Sequence, residues 1–253
     1  MSALSACFRA ERIKWRKSWL LVVAVLAPLC QCGFLAILFW FSDSRVRMFR
    51  PGFRFWLELN FVAWNLVVLP VAVALLCELS WEQEREARAW NLLLLQPVPR
   101  RTHYLAKGLG HVVLVLLSQC LFALTLPILG FLLRTKAELL MGPLPLALLV
   151  RFLGYSVLAA MAPVAFHTWL SMRIPGLWIA LVTALAGSAA AFHILGVSAL
   201  LQILPWSMAA HMSIVLERWR VLPWALAPTS LLLAALMLLL GTLDFTRPRE
   251  YRG

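Results

Sequence analysis

Apolar residues fall in six long runs, with polar and charged residues gathered between them. The runs cover residues 20–41, 55–79, 108–133, 152–172, 177–201 and 221–243. Each is near or above the ~20 residues that cross a bilayer as a helix. The pattern predicts six membrane spans. The first run follows a basic segment, as a secretory leader would. Its 22 residues exceed the usual apolar core of such a leader, and no A-x-A site follows. It is read as a retained span.

Residues 1–19 predict an interfacial helix. Leu4, Cys7, Phe8 and Trp15 fall on one face at helical spacing, with Glu11 among them. Arg9, Arg16 and Lys17 point the other way, together with Ile13; Lys14 adds a further charge. A basic helix with aromatics on one side suits a membrane surface.

The connection at 80–107 is dense in charge. Ser80 and Gln83 read as an S-x-x-Q capping box, so a new helix is expected to start there. Glu82, Glu84 and Glu86 occupy its first turns, where the helix dipole favours acids. Glu84 and Arg88 are spaced for an i,i+4 ion pair. Trp90 and Leu92 to Leu95 offer apolar contact, and Pro97 and Pro99 stop the helix. Arg100, Arg101 and Lys107 return the chain to the headgroups, with Tyr104 at the interface. Such a helix is either a lever for a partner or an amphipathic helix resting on a leaflet.

Charge then fixes an expected orientation. With the N-terminus inside, fourteen Lys and Arg lie on the cytoplasmic side and eight outside, and the side richer in Lys and Arg is the cytoplasmic one. Both termini are expected to be cytoplasmic, with 244–253 as a tail. Tryptophans near span ends, such as Trp19, Trp40, Trp56, Trp81 and Trp178, fit headgroup-level anchoring.

Composition agrees. The 253 residues are 62% hydrophobic, with mean hydropathy +0.85 and only 13% charged. A soluble domain carries about a quarter of its residues as Asp, Glu, Lys and Arg. The net charge of +12 flanks apolar runs, which argues for membrane and against nucleic acid. Five cysteines make no disulfide framework, and Cys30 and Cys32 point apart on a helix. No catalytic or metal-ligating set is expected, since His167 and His193 lack acidic or histidine partners at helical spacing. Gln119, His193 and Gln202 are polar groups at or near membrane depth; they either line a path or bond across helices. In the fifth run, Ala184, Gly187, Ser188 and Ala191 allow close helix approach. Pro28, Pro70, Pro127 and Pro163 imply kinks or local breaks.

Three pieces of the first ~110 residues resemble the type-2 ABC permease family, most of all its lantibiotic-immunity and bacitracin-resistance branch. They are Ala10 to Ser18 with Ala27-Pro28; Trp64 with Leu69-Pro70 and Ala74 to Leu76; and Glu82, Trp90, Leu93-Leu94, Pro97 to Arg100 and Tyr104 to Lys107. The resemblance implies an all-α membrane subunit with a cytoplasmic coupling helix at 80–107. Glu82, Glu84, Glu86, Arg88, Trp90, Pro97, Arg100 and Lys107 would then face an ATPase, and Phe8, Glu11, Lys14 and Trp15 would belong to an elbow helix. The chain has no G-x-x-x-x-G-K-[ST], so ATP and Mg would be held by a separate cytoplasmic ATPase. A second permease subunit, identical or related, and membrane lipids complete the expected partners, in the inner (plasma) membrane. The implied function is export of an amphiphilic compound such as an antimicrobial peptide. Rival readings are another cargo (a lipid-linked glycan or a metal-related factor), a membrane-embedded enzyme, and a non-transporting sensor or scaffold.

Overall fold

The computed structural model describes residues 3–16, 18–41, 52–87, 98–137, 140, 142–194, 204–209 and 226–246. Among them the fold is helical, with no strand. The helices are α1 (Ala3–Trp15), α2 (Trp19–Phe41), α3 (Phe53–Glu86), α4 (Arg100–Ala137), α5 (Leu146–Arg173), α6 (Leu177–Ile194) and α7 (Leu226–Thr246). Five of them, α2 to α5 and α7, are long and apolar enough to cross a membrane; Leu177–His193 is a shorter apolar helix. The fifth and sixth expected spans extend into 195–203 and 221–225, outside the described residues.

Local chemistry explains several boundaries. Ser18 Oγ accepts the Leu20 N–H at 3.3 Å and so caps α2. Between α5 and α6, Pro175 ends one helix, and Gly176 turns the chain at φ +143°, a conformation that only glycine adopts easily. In α3, Trp64–Val68 form a π turn, with the Leu69 N–H bonding back to the Trp64 carbonyl. Pro70 follows at once. Its missing N–H and its ring disturb the regular ladder there, so the expected break takes this form. The helices run on through Pro28, Pro127 and Pro163.

Three boundaries differ from the sequence expectation. No helix starts at Ser80: α3 continues without interruption to Glu86. Nothing in Trp81 to Glu86 breaks a helix, so no fresh cap is required. The fourth span begins at Leu146, not Phe152, because Pro143 and Pro145 set the start and every residue after them is compatible with helix. Arg151 is exposed on its second turn. The third run extends from 108–133 to Arg100–Ala137 for the same reason.

The bundle centres on α3, which packs against α2, α5 and α6, while α4 packs against α1, α2, α5 and α7. The core is aromatic. Trp64 stacks on Phe122 with centroids 4.7 Å apart, and Phe61 meets Phe122 and Phe152 edge-on at 5.0 and 5.2 Å. Trp56 is fully buried and donates to the Leu126 carbonyl at 2.9 Å. It is therefore core rather than headgroup anchor, as is Trp81; Trp19, Trp40 and Trp178 remain exposed. Small residues pack where expected: Ala184 lies against Ala74, and Ala191 against Trp206. A Cβ on Gly187 would come within 2.4 Å of the Trp206 ring.

Candidate functional site

Four charged residues from three helices converge at the end of the bundle that carries α1. Lys14 of α1 donates to Glu11 on its own helix and to Glu84 near the end of α3, both at 2.6 Å. Lys107 of α4 lies 3.1 Å from the same Glu84 oxygen and 3.6 Å from Glu11. It also donates to the Ser80 hydroxyl at 2.9 Å and the Ser80 carbonyl at 3.0 Å. Its three ammonium protons are thus matched by Glu84 and two Ser80 oxygens. Its charge lies 4.8 Å from the centre of the Trp81 ring.

Two acids and two lysines cancel, which is what burial demands. Glu84 and Lys107 are each 3% exposed. Isolated charges at such depth cost several kcal/mol each, so all four are held together. At Lys14, burial pulls the ammonium pKa down, but Glu84 and Glu11 push it up by more, and it lies above its ordinary value. Lys14 therefore stays charged at neutral pH.

This geometry revises the sequence assignments. Ser80 does not cap a helix; its hydroxyl accepts Lys107. Glu84 faces inward to Lys14 and Lys107. Arg88, its expected partner, lies outside the described residues together with Trp90 and Pro97. Glu82 is half-buried, while Glu86 and Arg100 are exposed. Tyr104 is fully buried among Trp81, Phe245 and Gly241, not interfacial. The aromatic face of α1 packs on α4: Trp15 is 8% exposed and reaches Gly110. That explains why an acid lies on an otherwise apolar face, for Glu11 belongs to the ion cluster.

Two more ties at this end escaped the sequence reading. Glu78, 1% exposed, accepts from Arg85 and from the Gly176 N–H at 2.9 Å, and Arg85 also donates to the Ser171 carbonyl at 2.9 Å. This fixes the α5–α6 turn to α3. Asp244 of α7 accepts from Arg173 and from Trp169 Nε1, joining α7 to α5. Glu78 and Arg85 are two turns apart on α3, but their ties to Gly176 and Ser171, like that of Arg173 to Asp244, span 71 to 98 positions, which no local pattern encodes.

The chain matches the family model described as ABC-2 family transporter protein over residues 7–191. It belongs to the ABC-2 transporter family. No curated protein matches the chain, and no solved structure does.

As an ABC-2 permease, the chain is the membrane subunit of an ABC transporter, a multi-pass component whose family associates with ABC ATPases. In this permease a set of polar groups deeper in the bundle is bonded together, whereas both ring nitrogens of buried His167 find no hydrogen-bond partner among the described residues. Gln119 is fully buried: it accepts from Trp64 Nε1 and donates to Ser156 Oγ, both at 2.9 Å. Ser156 in turn donates to Asn65 at 2.8 Å. Gln119 thus joins α3, α4 and α5. His193 is exposed, with Nδ1 2.8 Å from the Ala189 carbonyl. Gln202 lies outside the described residues. His111 Nδ1 pairs with Thr168 Oγ1 at 2.8 Å, and His167 is buried between Phe166 and Trp206. No group of three metal-binding side chains occurs among the described residues.

Proposed function

We propose that this permease is the membrane half of an ATP-driven exporter and that segment 80–107 is its contact with the ATPase. Six spans, cytoplasmic termini and a second permease subunit complete the proposed assembly. The cargo is an amphiphilic compound, in the manner of the lantibiotic-immunity branch, taken outward from the membrane.

One observation carries the mechanical part of this reading. The two chain ends that bound 88–97 are tied to each other and to α1 by a single buried cluster, with Glu84 and Ser80 on one side, Lys107 on the other and Lys14 from the elbow helix. A push on the intervening segment therefore loads α3, α4 and α1 together. Transport requires two global states of different cargo affinity, and a load shared by several spans is a means of shifting between them.

The test separates coupling from folding. Trp90→Ala and Arg88→Glu change the segment and leave Glu11, Lys14, Glu84 and Lys107 in place. Both variants should assemble in the membrane yet lose co-purification with the ATPase and export. Export at wild-type level would overturn the coupling role. Sensitivity of cells to peptide antibiotics with and without the gene tests the cargo; unchanged sensitivity would exclude that class.

A further inference from the structure

Helix α1 has two unlike faces. Glu11, Lys14, Trp15, Phe8 and Cys7 point to the protein, where the ion cluster and α4 hold them. The opposite face carries Arg9, Arg12, Ile13 and Arg16, which fall within about 100° of arc at 3.6 residues per turn. All four are exposed. The three arginines make no ion pair among the described residues. The one acid of α1, Glu11, is turned away and neutralised.

Apolar side chains flank these charges. Ile13 is 70% exposed and Trp19, at the first turn of α2, is 71% exposed. Trp19 opens a membrane-spanning helix, so the arginines lie at the level where chain enters bilayer. Guanidinium groups match phosphate oxygens bidentately, and the flanking apolar groups match the glycerol and upper acyl region.

We propose that Arg9, Arg12 and Arg16 form a binding face for the phosphate headgroups of anionic lipids. Because the other face of the same helix holds Glu84 through Lys14, the lipid binds to a helix locked to the end of α3. The inner-leaflet location rests on the proposed orientation; headgroup binding itself does not.

The experiment uses the full chain purified in neutral detergent. Bound lipids are counted by native mass spectrometry during titration with phosphatidylglycerol or phosphatidylcholine. The wild type should retain phosphatidylglycerol preferentially, and raised salt should weaken that retention. The triple variant Arg9→Gln, Arg12→Gln, Arg16→Gln should bind phosphatidylglycerol at least about tenfold more weakly, with phosphatidylcholine unchanged. The triple Lys variant should keep most of the binding, which separates charge from fold. Equal binding by wild type and Gln variant would overturn the proposal. So would wild-type binding that ignores lipid charge or salt, a control that needs no variant. Displacement by glycerol phosphate at equal concentration would also overturn it, as a soluble phosphate would then be the ligand. Sidedness is read separately, so failure of the orientation and failure of this site are distinguishable.

Discussion

Lys14 donates to Glu84 at 2.6 Å across 70 positions of sequence. That bond fastens the first helix to the end of α3, and Lys107 closes the cluster from α4. Glu84 and Lys107 are almost closed to solvent while the Lys14 side chain is 33% exposed, so the two inner charges depend most on their partners.

Removing one carboxylate therefore has a large effect. Glu84→Ala leaves buried Lys107 with two Ser80 oxygens and, as its nearest carboxylate, Glu11 at 3.6 Å, and the expected loss is about 3 kcal/mol. Lys14→Met should cost less, because Lys107 still holds Glu84. Exchanging the charges with Lys14→Glu and Glu84→Lys should not rescue, since Lys107 would then face a lysine. Thermal unfolding of the detergent-solubilised chain checks all three.

The tie between Arg173 and Asp244 has the same chemistry in a wetter place. The Arg173 side chain is 42% exposed, so water can take over its charge. Asp244→Ala should cost only about 1 kcal/mol. A loss as large as that of Glu84→Ala would contradict the contrast drawn from burial.

Glycines give a sharper steric test. A Cβ on Gly241 would lie 2.0 Å from the Tyr104 hydroxyl, whereas one on Gly33 or Gly154 meets nothing within 4 Å. Gly241→Ala should destabilise by roughly 1 to 3 kcal/mol through overpacking. Gly33→Ala and Gly154→Ala should unfold at the wild-type temperature.

Gln119 is a joint between helices, and its loss should be felt in stability first. Interhelical hydrogen bonds in membranes average about 0.6 kcal/mol. Trp64→Phe removes one bond to Gln119 and keeps a ring against Phe122, so a change near that size is expected. Gln119→Leu should lower the unfolding temperature further and leave cargo preference unaltered. A changed cargo profile without loss of stability would instead place Gln119 on a transport path.

Helix content was legible because hydrophobic runs record burial or lipid contact directly. The bounds were less so. At Ser80, a capping pattern met a helix that was already under way, and a continuing helix leaves no free N–H groups to cap. The amphipathic pattern of α1 was visible, but the partner of its aromatic face was not: lipid and α4 are equally apolar to a sequence pattern. Glu11 was the clue, since an acid on that face needs a cation from elsewhere. The charge of Lys107 and Glu84 alone points to an exposed surface. Their burial follows from contacts at sequence separations of 70 and 27, which no local spacing encodes.

In the proposed assembly the connection between α3 and α4 is gripped by a separate ATPase inside the cell. Ala87 is exposed at its near end, so an Ala87→Cys variant can be cross-linked in the assembled complex. Cross-linking should give a product that contains both the permease and an ATP-binding-cassette subunit. Absence of that product, with the cysteine labelled instead from outside intact cells by an impermeant maleimide, would contradict it.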